Sequence, residues 1–510
     1  MDNWNTALAL TYHEETSHSY ESVYRDRHFL DWANQPRPFK HYPGLEAIPL
    51  PPDLPATQMP ALLALSWPGA LTVPTPLPTL YDLAYVLFYA AGVTRRRYYP
   101  GHGEMFFRAA ACTGALYHID LYLSVGDMPG LQAGLYHFDP RDFALRQLRH
   151  GDYRRVLAEA SGDNPALQNA PVIIIGSDTF WRNSWKYRAR AYRHSFWDAG
   201  TILANLLAAA HARTLPAHLA LGFADATVNA LLDVDPDREG ALFLVGLGAG
   251  AALPATAPPV EPLHLAVAPL SPEEHDYPAI RILHAASSLV SPDDAAEWRG
   301  AAPEAPLPPA TGALFPLCPD TVASWPSATL EDVIRRRGSA RQFSHQPLSL
   351  SQLSIVLVQA TQPIPADCLA IAGRRLNDLY LIVNAVDGLP SGAYVFHPQP
   401  PALELLCAGD FRQQAGELAL GQDLAAEASV AVFCLCDMLP ILERFGNRAY
   451  RVAQLEGGIL GGRMYLAAYA QGFGATGLTF FDDDAIAFFS PHAADKSVMF
   501  LIALGYARRR

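Results

Sequence analysis

The sequence predicts an α+β chain built from two copies of one domain that pack against each other as an internal pair. Size, an internal repeat and matching strand-like and helix-like segments in the two copies predict it. The chain has 510 residues, 50% hydrophobic and 17% charged, more apolar material than one core of about 100–200 residues can bury. Shifting the sequence on itself by 258 positions gives an ungapped match from about Asp120 to Asp225 onto Asp378 to Asp483. Leu121, Tyr122 and Leu123 fall on Leu379, Tyr380 and Leu381, and Gly134, Tyr136 and Pro140 fall on Gly392, Tyr394 and Pro398. Further on, the run Arg190-Ala191-Tyr192-Arg193 meets Arg448-Ala449-Tyr450-Arg451. Upstream the shift is 270, so about 12 more residues, read as a longer loop, separate these landmarks in the first half.

The elements follow in order. TLYDLAYVL (79–87) and SLSQLSIVL (349–357) are the aligned upstream segments. LYLSV with GLYHFDP, and LYLIV with GAYVFHP, read as strands joined by a glycine turn. PVIIIGS and SVAVFCLC are β-branched runs of the kind that fills a strand buried on both faces. AGTILANLLAAAHA and GGILGGRMYLAAYAQG are apolar nearly all round, which implies a helix buried centrally or at an interface. Residues 1–250 are therefore assigned to the first domain and 329–510 to the second. Between them, 251–328 is rich in proline and alanine and reads as an extended linker, with IRILHAASSL locally helical.

Charge narrows the function. The balance of 37 basic against 50 acidic residues gives a net charge of −13, which repels nucleic acid and acidic membranes. No stretch of about 18 apolar residues runs without charge or proline, and the N-terminus has no export pattern, so a cytoplasmic location is expected. The six cysteines form no CxxC pair and the histidines have no ligand spacing, so no metal site is expected. VGLGAGAA (245–252) leads into prolines rather than a helix and is not a dinucleotide loop.

Differences between the copies point to the chemistry. In the second half, IRRRGSARQF places Arg337, Ser339 and Arg341 at alternating positions, where guanidinium groups and a hydroxyl can grip a phosphate. The alternative is a solvated helix end. The aligned first-half stretch, LSWPGALTV, has no charge. The first half has instead RAAACTGALYHIDLYL, whose small-residue turn Cys112-Thr113-Gly114-Ala115 lets a flat ligand approach the backbone. Its second-half counterpart, AIAGRRLNDLYL, is degraded. Lys186-Tyr187 aligns with Arg444-Phe445. A lysine whose pKa is lowered can accept a proton, whereas arginine stays charged and phenylalanine lacks a hydroxyl. The competing reading is a surface lysine beside a core tyrosine. Cys112 is read as a small packing residue rather than a nucleophile.

These segments, with DRHFLDWANQPRPFKHYPGLEAIPLP near the N-terminus, resemble the nitroreductase family, and within it the SagB-type or azoline dehydrogenase branch. The resemblance implies two tandem FMN-binding domains that form a pseudo-dimer within one chain, with one intact FMN site. It assigns the phosphate to Arg337, Ser339 and Arg341, with Arg508 as a further possibility. It assigns the ring wall to Arg108, Cys112, Thr113 and Gly114, with Gly477 from the segment GATGLTFFDD, and catalysis to Lys186 and Tyr187. The family's usual PSAGALYP stands here as ACTGALYH, so the turn and its His118 depart from the pattern. The implied reaction is oxidation of a thiazoline or oxazoline in a peptide to the azole, with dioxygen reoxidising the flavin. Implied partners are a small-molecule or ribosomal-peptide substrate and other biosynthetic enzymes such as a cyclodehydratase, and the chain is either a monomer with internal symmetry or a homodimer. The alternatives are an NAD(P)H-dependent nitroreductase or quinone-type reductase, and a non-catalytic scaffold subunit.

Overall fold

The computed structural model describes residues 2–25, 29–66, 77–101, 103–303, 306–369 and 375–508. Of the segments compared above, 67–73 in the first half and 370–374 in the second lie outside these residues.

Two seven-stranded sheets carry the fold, and their strands follow one order. The first runs Ala47–Pro49, Ala144–His150, Gly134–Asp139, Ile119–Val125, Val172–Thr179, Glu239–Leu247, Ala217–Ala220. The second runs Leu314–Pro316, Pro401–Ala408, Gly392–Pro398, Asn377–Val383, Val430–Asp437, Lys496–Gly505, Gly474–Leu478. All neighbouring strands are antiparallel. The expected α+β fold of two similar halves is thus the observed one. Val172–Thr179 is buried along its whole length, which is why residues 172–175 form a continuous apolar run and not an alternation.

The two alanine-rich segments belong to helices Ala191–Ala212 and Arg448–Ala470, nearly every residue of which is buried. They cross at glycines. A methyl group on Gly200 would lie 2.5 Å from the Leu455 carbonyl oxygen, and one on Gly458 would lie 2.4 Å from that of Trp197. Residues 197 and 455, like 200 and 458, are one repeat apart. Each half therefore offers the other the same surface, as the subunits of a twofold dimer do.

Buried ion pairs repeat the same exchange. Asp482 of the second half receives Arg190 and Arg193 of the first at 2.9 and 2.5 Å. Asp225 of the first half receives Arg448 and Arg451 of the second at 2.6 and 2.7 Å. The repeated Arg-Ala-Tyr-Arg run is thus one side of a reciprocal clamp between halves, with each aspartate at the start of a helix.

The stretch 251–328 is more ordered than its composition implies. It holds helices Pro278–Ala286 and Pro292–Trp298, each with proline in its first turn, and its strand Leu314–Pro316 forms the edge of the second sheet. Arg451 donates to the His284 carbonyl as Arg193 donates to that of His13, both at 2.5 Å. The N-terminal helix Ala7–Glu15 and the helix Pro278–Ala286 therefore play matching parts, so the duplication reaches back into the supposed linker. The helix Pro278–Ala286 falls on the IRILHAASSL segment expected to be helical; Pro and Ala counts by themselves do not distinguish extended chain from chain whose prolines start helices.

Candidate active site

The small-residue turn is held by a buried charge network. Thr113–Ala115 forms a single 3-10 turn in which Gly114 has φ +63°. The Asp198 carboxylate accepts from the Thr113 backbone N–H at 2.9 Å, the Thr113 hydroxyl at 2.9 Å and the Cys112 thiol at 3.0 Å. His118 reaches Asp198 through Nε2 at 2.8 Å and Asp178 through Nδ1 at 2.7 Å. Burial opposes charge on that ring, but the two carboxylates outweigh it and raise its pKa well above the ordinary histidine value. His118 is therefore an imidazolium that donates from both nitrogens. Burial pushes the Cys112 thiol up to about 11, so it is a neutral hydrogen-bond partner. Cys112, His118 and Asp198 also bring three possible metal-ligating atoms together, a cluster that spacing along the chain did not suggest. Here those atoms are already hydrogen-bonded to one another.

The helix Phe180–Tyr187 delivers the Lys-Tyr pair. The chain has only three lysines. Lys40 is paired with Glu239 at 2.6 Å and Lys496 with Asp378 at 3.0 Å. Half-buried Lys186 has no acidic partner among the described residues; its Nζ lies 5.2 Å from the Tyr187 ring centre. Desolvation, and then the charge of Arg341, lower its pKa. The Tyr187 ring meets that of His194 edge-on at 4.6 Å. A methyl group on Gly114 would come within 2.8 Å of the Tyr187 hydroxyl, so turn and tyrosine are in close register. After Tyr187 the chain turns at Arg188, φ +53°, where the second half has Gly446, φ +65°. The first half thus keeps an arginine in a backbone conformation that suits glycine.

The second half closes the site. Beyond the helix Leu330–Arg336, Arg337 donates to the carbonyls of Ala109 (2.9 Å), Arg108 (2.9 Å) and Ala110 (3.1 Å), tying the two halves together. Ser339 contacts the Tyr465 hydroxyl at 3.1 Å, and that hydroxyl accepts from the Gly477 N–H at 2.6 Å. Arg341 is exposed.

A cavity of about 780 Å³ lies between the halves, and Lys186, Tyr187, Cys112, Thr113, Gly114, Arg337, Ser339, Arg341 and Gly477 all line it. Arg108 is not part of that lining. Its guanidinium is buried between the rings of Phe39 and Tyr117, 5.0 Å from each, and donates to the Pro38 carbonyl at 2.6 Å. Arg508 is also absent from the lining; its backbone N–H donates to the Gln342 carbonyl at 3.1 Å. Sequence reasoning missed His194, Asp198 and Tyr465, together with the hairpin Val93–Tyr99 and Gly103–Arg108, whose Arg95, Arg97 and Phe107 also line the cavity. The extra 12 residues of the first half were the signal for that hairpin.

A family model, the nitroreductase family, matches residues 133–249 and 334–506, which together make up more than half of the chain. The chain belongs to the nitroreductase family. Its two matched segments fall one in each half, in keeping with the paired sheets. A crystal structure of a nitroreductase-family protein from Anabaena variabilis superposes with a TM-score of 0.80 at 27% identity, covering 98% of this chain and 99% of that one. A Methanocaldococcus jannaschii protein named as a nitroreductase is 25% identical over 170 residues, covering 33% of this chain and 80% of the relative. The trifolitoxin-processing protein TfxB of Rhizobium leguminosarum bv. trifolii is 31% identical over 175 residues, covering 33% of this chain and 47% of TfxB. Within this nitroreductase-family chain the counterpart of the Lys-Tyr pair is packed over by another element. The Trp298 ring lies 4.9 Å from that of Phe445 and its indole N–H donates to the Phe445 carbonyl at 2.9 Å, while Arg444 donates to the Arg299 carbonyl at 3.2 Å.

Proposed function

We propose that this nitroreductase-family oxidoreductase is an FMN-dependent dehydrogenase that oxidises an azoline-type ring in a peptide natural product. The observation that carries the reading is a lysine without an acidic partner, its pKa lowered, beside a tyrosine on the wall of an interdomain cavity. The residues present suit FMN: the cavity of about 780 Å³ has the Arg337–Arg341 segment for a phosphate, and the turn at Cys112–Gly114 with Gly477 for a flat ring. Arg337 offers Nη1 for this, since its other guanidinium nitrogens bond the carbonyls of 108–110.

FMN, if bound there, would supply the two-electron acceptor. Lys186 takes the proton from the ring carbon through Nζ, whose pKa desolvation and then the charge of Arg341 lower. Tyr187, whose phenol burial keeps protonated, donates to the charge that develops on the substrate. His118 and Asp198 hold the turn that meets Tyr187. The peptide part of the reading rests on the likeness to TfxB, a protein named for processing trifolitoxin.

The test is conversion of a thiazoline- or oxazoline-bearing peptide by the FMN-loaded chain, read as the loss of two hydrogens by mass spectrometry. Lys186→Ala is expected to lower turnover by about 10²–10⁴-fold with flavin content unchanged; loss of flavin instead makes this lysine structural. Likeness to a protein named as a nitroreductase favours a second reading, a reductase fed by NAD(P)H. Rapid bleaching of the flavin by NADPH, with the azoline peptide untouched, selects it.

A further inference from the structure

The hairpin Val93–Tyr99 and Gly103–Arg108 has no task in the reading above, and the described residues of the second half hold no counterpart to it. The halves align at a shift of 270 before it and 258 after it, so the first half's additional residues lie in this element. Its register pairs Arg95 with Phe107 and Arg97 with Met105, which places all four side chains, with Tyr99, on one face. Those five residues line the cavity. The opposite face anchors the hairpin: Phe106 packs edge-on against Phe39 at 4.9 Å, and Arg96 donates to the Arg141 carbonyl at 2.9 Å.

The charge on the cavity wall is one-sided. Among the described residues, Arg95, Arg97, Lys186, Arg337 and Arg341 line it against a single carboxylate, Asp198, which already serves the turn and His118. Arg95 and Arg97 have no acidic partner among the described residues. An FMN phosphate, gripped by the Arg337–Arg341 segment, brings at most two negative charges. Cations gathered in one cleft of a chain with net charge −13 attract an anion beyond the cofactor. We propose that the hairpin is a specificity element for a carboxylate-bearing substrate: Arg95 and Arg97 take the carboxylate, and Tyr99, Met105 and Phe107 take the adjoining apolar part. This rests on the flavin reading for the identity of the neighbouring site, but it concerns the substrate and not the chemistry.

The test uses the FMN-loaded full chain. Benzoate and benzamide are titrated against it by calorimetry, followed by a blocked tetrapeptide containing glutamate and its glutamine twin. Benzoate is expected to bind at least about tenfold tighter than benzamide, and the advantage to shrink as salt rises. Arg95→Gln/Arg97→Gln, both at exposed positions, is expected to abolish the preference and keep its FMN. A glutamate preference in the peptide pair as well identifies an acidic peptide as the source of the carboxylate, and preference for benzoate alone identifies a small acid. Equal binding of acid and amide overturns the proposal. So does a double variant that retains riboflavin but loses FMN, because the two arginines then serve the cofactor phosphate. If the purified chain takes up no flavin, the flavin reading falls. The same titration of the flavin-free chain still decides whether the hairpin face prefers carboxylates.

Discussion

At residue 118 an imidazole stands between two carboxylates, and one repeat later, at 376, the chain has leucine. The partner changes with it: Asp198 aligns with Glu456, whose carboxylate accepts from the Leu376 N–H at 2.9 Å and the Asn377 N–H at 2.7 Å. With no imidazolium beside it, burial pushes Glu456 up to about 7. The buried Asn377 Oδ1, which lacks a donor, adjoins it. A carboxyl raised in this way holds its proton more tightly folded than unfolded, so its contribution to stability declines as pH rises from the ordinary 4.5 towards 7. Glu456→Gln is therefore expected to gain up to about 3 kcal/mol over the wild type at pH 8 and nothing at pH 4.5, measured by denaturant midpoints. Lys186 gives a second residue-scale test. Among the three lysines it alone has no ion-pair partner among the described residues, and its own pKa is lowered, so it is the lysine expected to react first with a limiting amine reagent, as read by peptide mapping. Preferential labelling of Lys40 or Lys496 would contradict the site's electrostatics.

The long helices act as elements and not as collections of residues. Gly200 and Gly458 let the backbones of the two helices touch across the joint between the halves. Gly458→Ala is expected to cost about 1–3 kcal/mol by overpacking, because the added methyl meets the Trp197 backbone and no flexible side chain can yield. The measurement is urea unfolding, with flavin affinity as a second readout, since helices forced apart widen the cavity. Both helices were legible from their all-round apolar character. Their crossing was not, since a glycine in a helix looks the same whether it faces a neighbour or a void. The hairpin was visible only as a difference in loop length. Its Arg-Arg-Arg run has no hydrophobic alternation by which a strand is recognised.

Across the whole molecule, the two halves are locked by four arginines and two aspartates, all buried. Removing charge from one partner of a buried pair costs about 3–5 kcal/mol. Asp482→Asn and Asp225→Asn are expected to lose stability to this similar extent, measured by thermal or denaturant unfolding. They should differ in function: Asp482 holds Arg190 and Arg193, three and six residues after Tyr187, whereas Asp225 holds Arg448 and Arg451 after the aligned Arg444-Phe445. Only Asp482→Asn should weaken flavin binding. The sequence by itself determined the duplication, the class of fold and the residue types at the candidate site, because strand and helix periodicity and the repeat are properties of neighbours along the chain. Only the tertiary structure decided that Arg337 donates from Nε and Nη2 to carbonyls of the other half, that Arg108 is buried away from the cavity and that Leu314–Pro316 is the edge strand of the second sheet. Those outcomes depend on which surfaces meet across hundreds of residues, and contact at that range is settled by packing and charge pairing rather than by local pattern.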